Sequence, residues 1–517
     1  MGRFQETIRI LWKNRYATFS ILLSSLIIVV DGYDIGVISG AQLFVREELH
    51  LDDVKVEVMV GALNLFAIVG AILAGLISNR LGRRRTLMLS AALFTIGSVI
   101  MGISHSFPVL FVGRLFAGVA AGHALVAAPI YASEIAPPEV RGFLASLTEI
   151  FMGCGILLGY ISNIAFASLP GRYNWRVMLG LAAVPAVVIW VAYLWIPETP
   201  RWLVMKGRIE SARLVLQRTF NDSKRADSRL EEIQCAADVP HPNGPVWGEL
   251  LLRPSACVRR ILLAAVGVNF FQQACGIQTV TLYAPKIFKR AGLKKKSQAL
   301  AANSGVGVTK VVFIFVSMLL ADRWGRRPLL LLSIFGMSCT LLVLSGSLFA
   351  MDRSPSPAYK WIAIFMAWID EAFYGIGVGP LAWAYASEIF PLRLRGPGMS
   401  MAVMVNRIVG SVVSMTFLSL TNAITIQGCY LMFSCISFIG GVFFWFALPE
   451  TKGKTLEEVE ALFEGKKPLE INGEKLERGG GIEGFEGKPL VINGEKLEKG
   501  GELEMEGKEG KAEIPKN

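Results

Sequence analysis

Charge is scarce in this chain. Only 18% of its 517 residues are Asp, Glu, Lys or Arg, against about 25% in soluble domains. Hydrophobic residues make up 53%, and the mean hydropathy is +0.49. Such a composition excludes an ordinary soluble domain and points to an integral membrane protein of many helices. Organised cysteine is also missing. Cys154, Cys235, Cys257, Cys275, Cys339, Cys429 and Cys435 are scattered, mostly in apolar segments, with no CxxC pair. Neither a disulfide framework nor a metal site is expected. The chain lacks the glycine-rich phosphate loop of nucleotide-driven pumps, and it lacks a nucleophile, base and orienter set that would suggest an enzyme. The basic N-terminus (Arg3, Arg9, Lys13, Arg15) has no cleavable signal pattern, so the first apolar segment reads as a retained span. The net charge of +11 is read as basic cytoplasmic loops orienting helices rather than as a nucleic-acid footprint.

What is present is length. Twelve apolar segments approach the ~20 residues a span needs: 17–40, 56–78, 86–104, 108–131, 144–168, 176–196, 259–288, 300–320, 329–350, 360–385, 398–421 and 425–447. Short basic links follow the second, fourth, eighth and tenth, which predicts that those links and both termini face the cytoplasm. Three motifs occur twice in the same order at similar separations. Gly82-Arg83-Arg84 recurs as Gly325-Arg326-Arg327, Ser133-Glu134-Ile135 as Ser387-Glu388-Ile389, and Pro197-Glu198-Thr199 as Pro449-Glu450-Thr451. The expectation is an all-α membrane protein of twelve transmembrane helices in two six-helix halves, 1–203 and 259–463, an architecture used by transporters. Residues 204–258 are polar and form a cytoplasmic helical linker. Residues 464–517 hold a charged, glycine-rich duplication and read as disordered or artificially appended.

The first apolar segment carries carboxylates before it ends, in Asp31-Gly32-Tyr33-Asp34-Ile35-Gly36. A charge at membrane depth costs at least about 2.5–3.5 kcal/mol, so it usually serves a function. Gly32, Gly36 and Gly40 form a stripe for close helix approach, and Asp34 points away from it. Asp34 reads either as a satisfied structural carboxylate or as a proton site on a transport path, and the second is favoured.

From Thr18 to Leu462 the chain resembles the sugar porter family of the major facilitator superfamily. The resemblance rests on Gly32-Tyr33-Asp34-Ile35-Gly36-Val37, Gly113-Arg114-Leu115, Pro197-Glu198-Thr199-Pro200-Arg201-Trp202-Leu203, Gln272-Gln273 with Gly276-Ile277, Tyr283-Ala284-Pro285, Gly379-Pro380 with Trp383, and the two Gly-Arg-Arg loops. Within the family it is similar to the plant polyol and monosaccharide proton symporters. The pointers are Thr148-Glu149-Ile150, Gly155-Ile156-Leu157-Leu158-Gly159-Tyr160 and Arg201-Trp202-Leu203-Val204-Met205.

The resemblance implies a proton-coupled symporter of polyols or monosaccharides, with Asp34 opposite Arg114 as the coupling pair. The alternatives are a passive facilitator of the same fold and a non-transporting sensor. Glu149 stands where many relatives hold a sugar-binding glutamine, so it is assigned to hydroxyl recognition, with proton work as the lesser role. Gln272, Gln273, Gln278, Tyr283, Trp383 and Asn406 are the further substrate candidates; amides suit polyhydroxylated ligands. The cytoplasmic gate is assigned to Arg83, Arg84, Glu134, Arg141, Glu198, Asp322, Arg326, Arg327, Glu388, Arg395 and Glu450, bridging helix ends between halves in the outward-facing state. Asn79 replaces the aspartate matching Asp322. Gly410, Arg407, Asp370 and Glu371 depart from the hexose-carrier pattern and favour a longer or more flexible ligand. Lys310 is read as either snorkelling or paired. No cofactor is expected, and the proton gradient is the driving force. The protein is expected to act as a monomer in lipid, in the plasma membrane, with no nucleic-acid partner.

Overall fold

The computed structural model describes residues 12, 14–136, 141–220, 223–238, 254–293, 295–354, 356–390, 394–452, 459, 462–463 and four short strands between 470 and 497. The side chains of 141–146, 236–238, 322 and 395 are outside that description. The helices are α1 (Arg15–Glu48), α2 (Asp53–Leu81), α3 (Arg83–Gly102), α4 (Phe107–Ile135), α5 (Arg141–Phe166), α6 (Asn174–Gly180) and α7 (Ala183–Ala192). The short helices α8 (Pro200–Met205), α9 (Ile209–Phe220) and α10 (Ser223–Asp238) follow. The chain continues through α11 (Ala256–Ala274), α12 (Ile277–Arg290), α13 (Lys296–Trp324), α14 (Arg326–Arg353), α15 (Pro357–Ile376), α16 (Val378–Ile389) and α17 (Arg395–Ala447).

Eleven helical stretches among the described residues are long and apolar enough to cross a membrane. One of them, α17, is really two, because Thr425 interrupts it at φ 66° and ψ 162°. That gives the twelve expected spans, with the break at the start of the last expected segment. The chain passes back and forth between one end, where α8–α10 lie (the linker end), and a far end.

Close packing of the spans follows from glycine. A Cβ on Gly32 would lie 2.3 Å from the Met152 carbonyl oxygen, and one on Gly36 2.2 Å from that of Ile156. The predicted stripe on α1 is therefore where α5 lies backbone to backbone. One apolar core runs from α1 to α7 and on into Tyr283, Phe288, Phe417 and Phe433, joining both halves toward the far end. A second, around Ile261, Leu330, Tyr385 and Phe444, belongs to the later helices alone. Trp202, Leu203, Leu216 and Leu230 form a third, small core in α8–α10.

The repeated motifs meet in space, once in each half. The Glu198 carboxylate accepts the main-chain N–H groups of Arg83 (2.9 Å) and Arg84 (3.1 Å), capping α3 from outside. Glu450 does the same for Arg326 and Arg327, both at 3.0 Å, at α14. A carboxylate is favoured at these orphan donors by hydrogen bonding and by the helix dipole. Burial nevertheless pushes the Glu198 carboxyl above its ordinary value, the N–H bonds opposing this only in part. Gly82 (φ +101°) and Gly325 (φ +96°) make the approach possible; a Cβ on Gly82 would lie 2.2 Å from Glu198 Oε2. Arg83 pairs with Glu134 and Arg326 with Glu388, both at 3.0 Å. The free oxygens of those glutamates accept Thr199 and Thr451.

Four strands of two or three residues in the tail pair antiparallel in the order β2-β1-β3-β4: β1 (Glu470–Ile471), β2 (Glu474–Lys475), β3 (Leu490–Ile492) and β4 (Glu495–Leu497). Each hairpin spans an Asn-Gly pair, a strong hairpin signal.

Losing the α3 cap by Glu198→Ala is expected to lower stability by about 1–2 kcal/mol, and Gly82→Ala to act through the same contact. Thermal unfolding in detergent should find the double variant less destabilised than the two single effects added; strict additivity would refute the shared cap.

Candidate functional site

Asp34 and Arg114 are 1% and 0% exposed. The Arg114 Nη1 donates to Asp34 Oδ2 at 2.5 Å, and Nε donates to the Met59 carbonyl at 3.1 Å. Nη2 has no partner among the described residues. The geometry follows from α1. Its glycine face is against α5, so Asp34 is turned toward α4, which supplies the arginine. A buried carboxylate and guanidinium need one another, and this pair joins them by a single oxygen–nitrogen contact.

Asp31, one turn earlier on α1, is also buried, and its Oδ2 has no partner among the described residues. It lies within electrostatic reach of Asp34, Arg114, Glu149 and Arg407. Sequence reasoning gives Asp31 no role of its own. The signal is nonetheless there: two acids three residues apart share a helix face.

Glu149 on α5 is half-buried and faces Lys310 and Arg407, both from the later half. Lys310 is paired. Its Nζ donates to Glu371 Oε1 at 2.7 Å and lies 4.9 Å from the Tyr374 ring centroid. Asp370 accepts Thr340 Oγ1 at 2.9 Å, and the second oxygens of Asp370 and Glu371 have no partner among the described residues. Arg407 Nη1 reaches across to Asn64 Oδ1 on α2 at 3.1 Å. The interior thus holds a linked set of five carboxylates (Asp31, Asp34, Glu149, Asp370 and Glu371) and three cations (Arg114, Lys310 and Arg407).

The amide candidates form a network beside two helix breaks. Gly276, in the left-handed region at φ +84°, separates α11 from α12, which begins at Ile277. Gly377 separates α15 from α16. Gln272 Nε2 donates to the carbonyls of Val378 (2.9 Å) and Gly379 (2.7 Å), so one break is tied to the other. Asn406 Nδ2 donates to Gln272 Oε1 at 2.5 Å, and Gln273 Nε2 donates to Asn406 Oδ1 at 3.2 Å. Gln273 Oε1 has no partner among the described residues, and it would lie 3.3 Å from a Cβ on Gly410. Absence of a side chain at 410 therefore leaves room beside a free acceptor. Discontinuous helices with polar groups at the break are a common way to build a solute site inside a membrane.

Gln278 and Trp383 are half-buried. Tyr283 stands apart from the amides. Its hydroxyl donates to the Ser414 carbonyl at 2.8 Å and its ring packs on Phe417, so it binds helix to helix toward the far end.

The bridging between halves expected of the gate residues belongs to the outward-facing state, which this conformation does not test. Among the described residues, Arg83, Arg84, Glu134 and Glu198 meet one another inside the first half, and Arg326, Arg327, Glu388 and Glu450 inside the second. The reason is that the Pro-Glu-Thr and Gly-Arg-Arg segments of one half converge on a helix start. The side chains of Arg141, Asp322 and Arg395 lie outside the described residues. Among the described residues, several side-chain hydrogen bonds between halves lie toward the far end: Gln42 Nε2 to the Leu282 carbonyl (2.7 Å), Tyr160 Oη to that of Thr281 (2.8 Å) and Asn303 Nδ2 to Ser39 Oγ (2.9 Å). In this conformation the halves are joined at the far end.

Comparison with known proteins agrees with this architecture. The profile of the family described as sugar (and other) transporter matches residues 20–463. Putative polyol transporter 2 of Arabidopsis thaliana is 45% identical over 468 residues, covering 87% of this chain and 92% of the relative. Polyol transporter 5 of the same plant is 43% identical over 470 residues, covering 88% and 87%. Among solved structures, the proton:xylose symporter XylE bound to 6-bromo-6-deoxy-D-glucose superposes with a TM-score of 0.74 at 28% identity, covering 87% of this chain and 99% of that one. A partially occluded inward-open conformation of XylE from E. coli gives 0.74 at 26% identity, covering 86% and 100%. The chain belongs to the sugar transporter family of the major facilitator superfamily, and it is a multi-pass membrane transporter rather than an enzyme.

Proposed function

We propose that this protein is a proton-coupled symporter that imports polyols or monosaccharides by alternating access. The observation that carries this reading is the buried Asp34–Arg114 pair, set within a group of five carboxylates and three cations. With every carboxylate ionised, that interior would carry two uncompensated negative charges, an expensive state away from water. Holding protons relieves it. When Asp34 takes a proton, Arg114 loses its counter-charge and turns to other acceptors, and the two halves are freed to rearrange around the solute. The names of the polyol-transporting and proton:xylose-symporting relatives support the same substrate class and ion.

Gln272, Gln273, Gln278, Asn406, Trp383 and Glu149 are the proposed solute contacts, with Gln273 offering its free oxygen to a hydroxyl. Tyr283 is proposed to act indirectly by holding α12 to α17. The charged clusters at the linker end are proposed to keep each half rigid. Both termini are placed in the cytoplasm and the protein in the plasma membrane, acting as a monomer; the joined far end is then the outer one. The passive facilitator is the second reading, and the excess of carboxylates over cations argues against it.

The direct test is uptake by the full chain in cells or proteoliposomes with external pH recorded: solute addition should alkalinise the medium. Asp34→Asn should abolish uphill accumulation while solute exchange down a gradient persists, and undiminished accumulation by that variant would end the coupling proposal. Gln273→Ala should raise the half-saturation concentration roughly tenfold, the worth of one hydrogen bond of about 1.4 kcal/mol, with surface expression unchanged. A competition panel of linear polyols, inositol and hexoses identifies the preferred ligand.

A further inference from the structure

Alternating access, the reading this inference rests on, requires the two halves to part at the far end once per cycle. The structure shows what holds them there. On α2, Asp53, Glu57, Gly61 and Asn64 share one face, and all four meet α17 of the other half. Asp53 Oδ2 accepts from Asn422 Nδ2 at 3.1 Å. Gly61 packs on Met415, and Asn64 accepts from Arg407.

Glu57 differs from its neighbours. It is 2% exposed, and both its oxygens are engaged by one residue of the opposite half. Oε1 accepts the main-chain N–H of Ser419 at 2.7 Å, and Oε2 accepts the Ser419 hydroxyl at 2.5 Å. A main-chain amide inside a helix ordinarily serves the carbonyl four residues back. Here it donates across the boundary between halves, to a carboxylate. Five residues earlier, the Ser414 carbonyl accepts the Tyr283 hydroxyl. At this level α17 is therefore held on one side by a tyrosine of its own half and on the other by an acid of the opposite half.

We propose that Glu57 is the latch of the far end: a positioning residue that favours the conformation joined there by accepting both Ser419 donors, and that must release them before solute can enter from that side. The chemistry suits a reversible contact. Charge-assisted bonds to an amide and a hydroxyl are strong while the seam is dry, and water replaces both acceptor and donors when it opens. The carboxylate's charge strengthens both bonds; an amide side chain could still accept the Ser419 N–H and donate to its hydroxyl, but without that charge.

The test uses the full chain in membranes, with Met415→Cys as reporter. Met415 lies against Gly61 behind the latch and has no assigned role in transport. Labelling of position 415 by a membrane-impermeant maleimide added from each side is followed by peptide mass. With Glu57→Gln, the labelling rate from the far-end side should rise about tenfold, and with Ser419→Ala, which removes one of the two bonds, about threefold. Should Glu57→Gln fail to reach the membrane, Ser419→Ala decides. Rates within twofold of the parent for the variants that do reach the membrane overturn the latch. Solute uptake measured in parallel separates the two readings: raised labelling in a chain that moves no solute keeps the latch and sinks the transport reading, whereas normal uptake with unchanged labelling does the reverse.

Discussion

The structure depends on an ion pair that is dry but not locked. Asp34 and Arg114 are shielded from solvent and touch through one oxygen and one nitrogen. Removing two such ions from water carries a penalty of several kcal/mol each, which their attraction repays only with good geometry and further hydrogen bonds. Arg114 gains one such bond, from Nε to Met59, and leaves Nη2 unmatched among the described residues. A bidentate fork would hold more firmly. The paired and separated states of this couple thus lie closer in free energy than they would for a fully satisfied pair, which is the condition a switching site has to meet. The surrounding helices serve this geometry. Glycines on α1 admit the α5 backbone, and that contact directs Asp34 at α4.

The three repeated motifs are explained by a single local device. A helix that starts at the linker end exposes unsatisfied N–H groups, and a glutamate from a distant segment of the same half covers them. Gly82 and Gly325 are the positions where that glutamate leaves no room for a side chain. The arginines next in sequence pair with Glu134 and Glu388, whose other oxygens are bound by the threonines that follow the capping glutamates. Spans two and three, four, and the segment after six are tied into one unit in the first half, and their counterparts into another in the second.

Much of this is legible in sequence because it rests on composition and repetition. Apolar length marks the spans, the glycine stripe marks the α1–α5 contact, and an acid in an apolar run marks Asp34. What is not legible depends on partners from remote segments. The bridging of halves expected of the linker-end charges concerns the outward-facing state; that the same charges also cap helix starts within each half is not legible, since spacing along a chain does not tell which helix end a carboxylate will cap. Lys310 leaves two readings open until Glu371 is found beside it. Tyr283 reads as a solute contact, and only the Ser414 carbonyl shows where its hydroxyl goes. Asp31 escapes notice because its neighbour Asp34 fits a known motif, although both acids line the same face.

The polar contacts therefore divide by where they act. Those at the linker end join segments of one half, cap helix starts and involve buried or half-buried ions, so breaking them leaves charges and amides exposed to poor alternatives. Toward the far end, among the described residues, ion pairs such as Arg176–Glu48 and the charge-assisted Glu57–Ser419 contact stand beside isolated donors that join different halves, Gln42, Tyr160 and Asn303, each meeting a single acceptor across the boundary. Water can replace the bonds of those isolated donors one for one, and the net worth of each is about 1 kcal/mol. A titratable pair inside one half can bias the motion of the two halves only through what it changes at the boundary, and Arg407, which reaches Asn64 across the halves while facing Asp31 and Glu149, is the side chain situated to carry such a change.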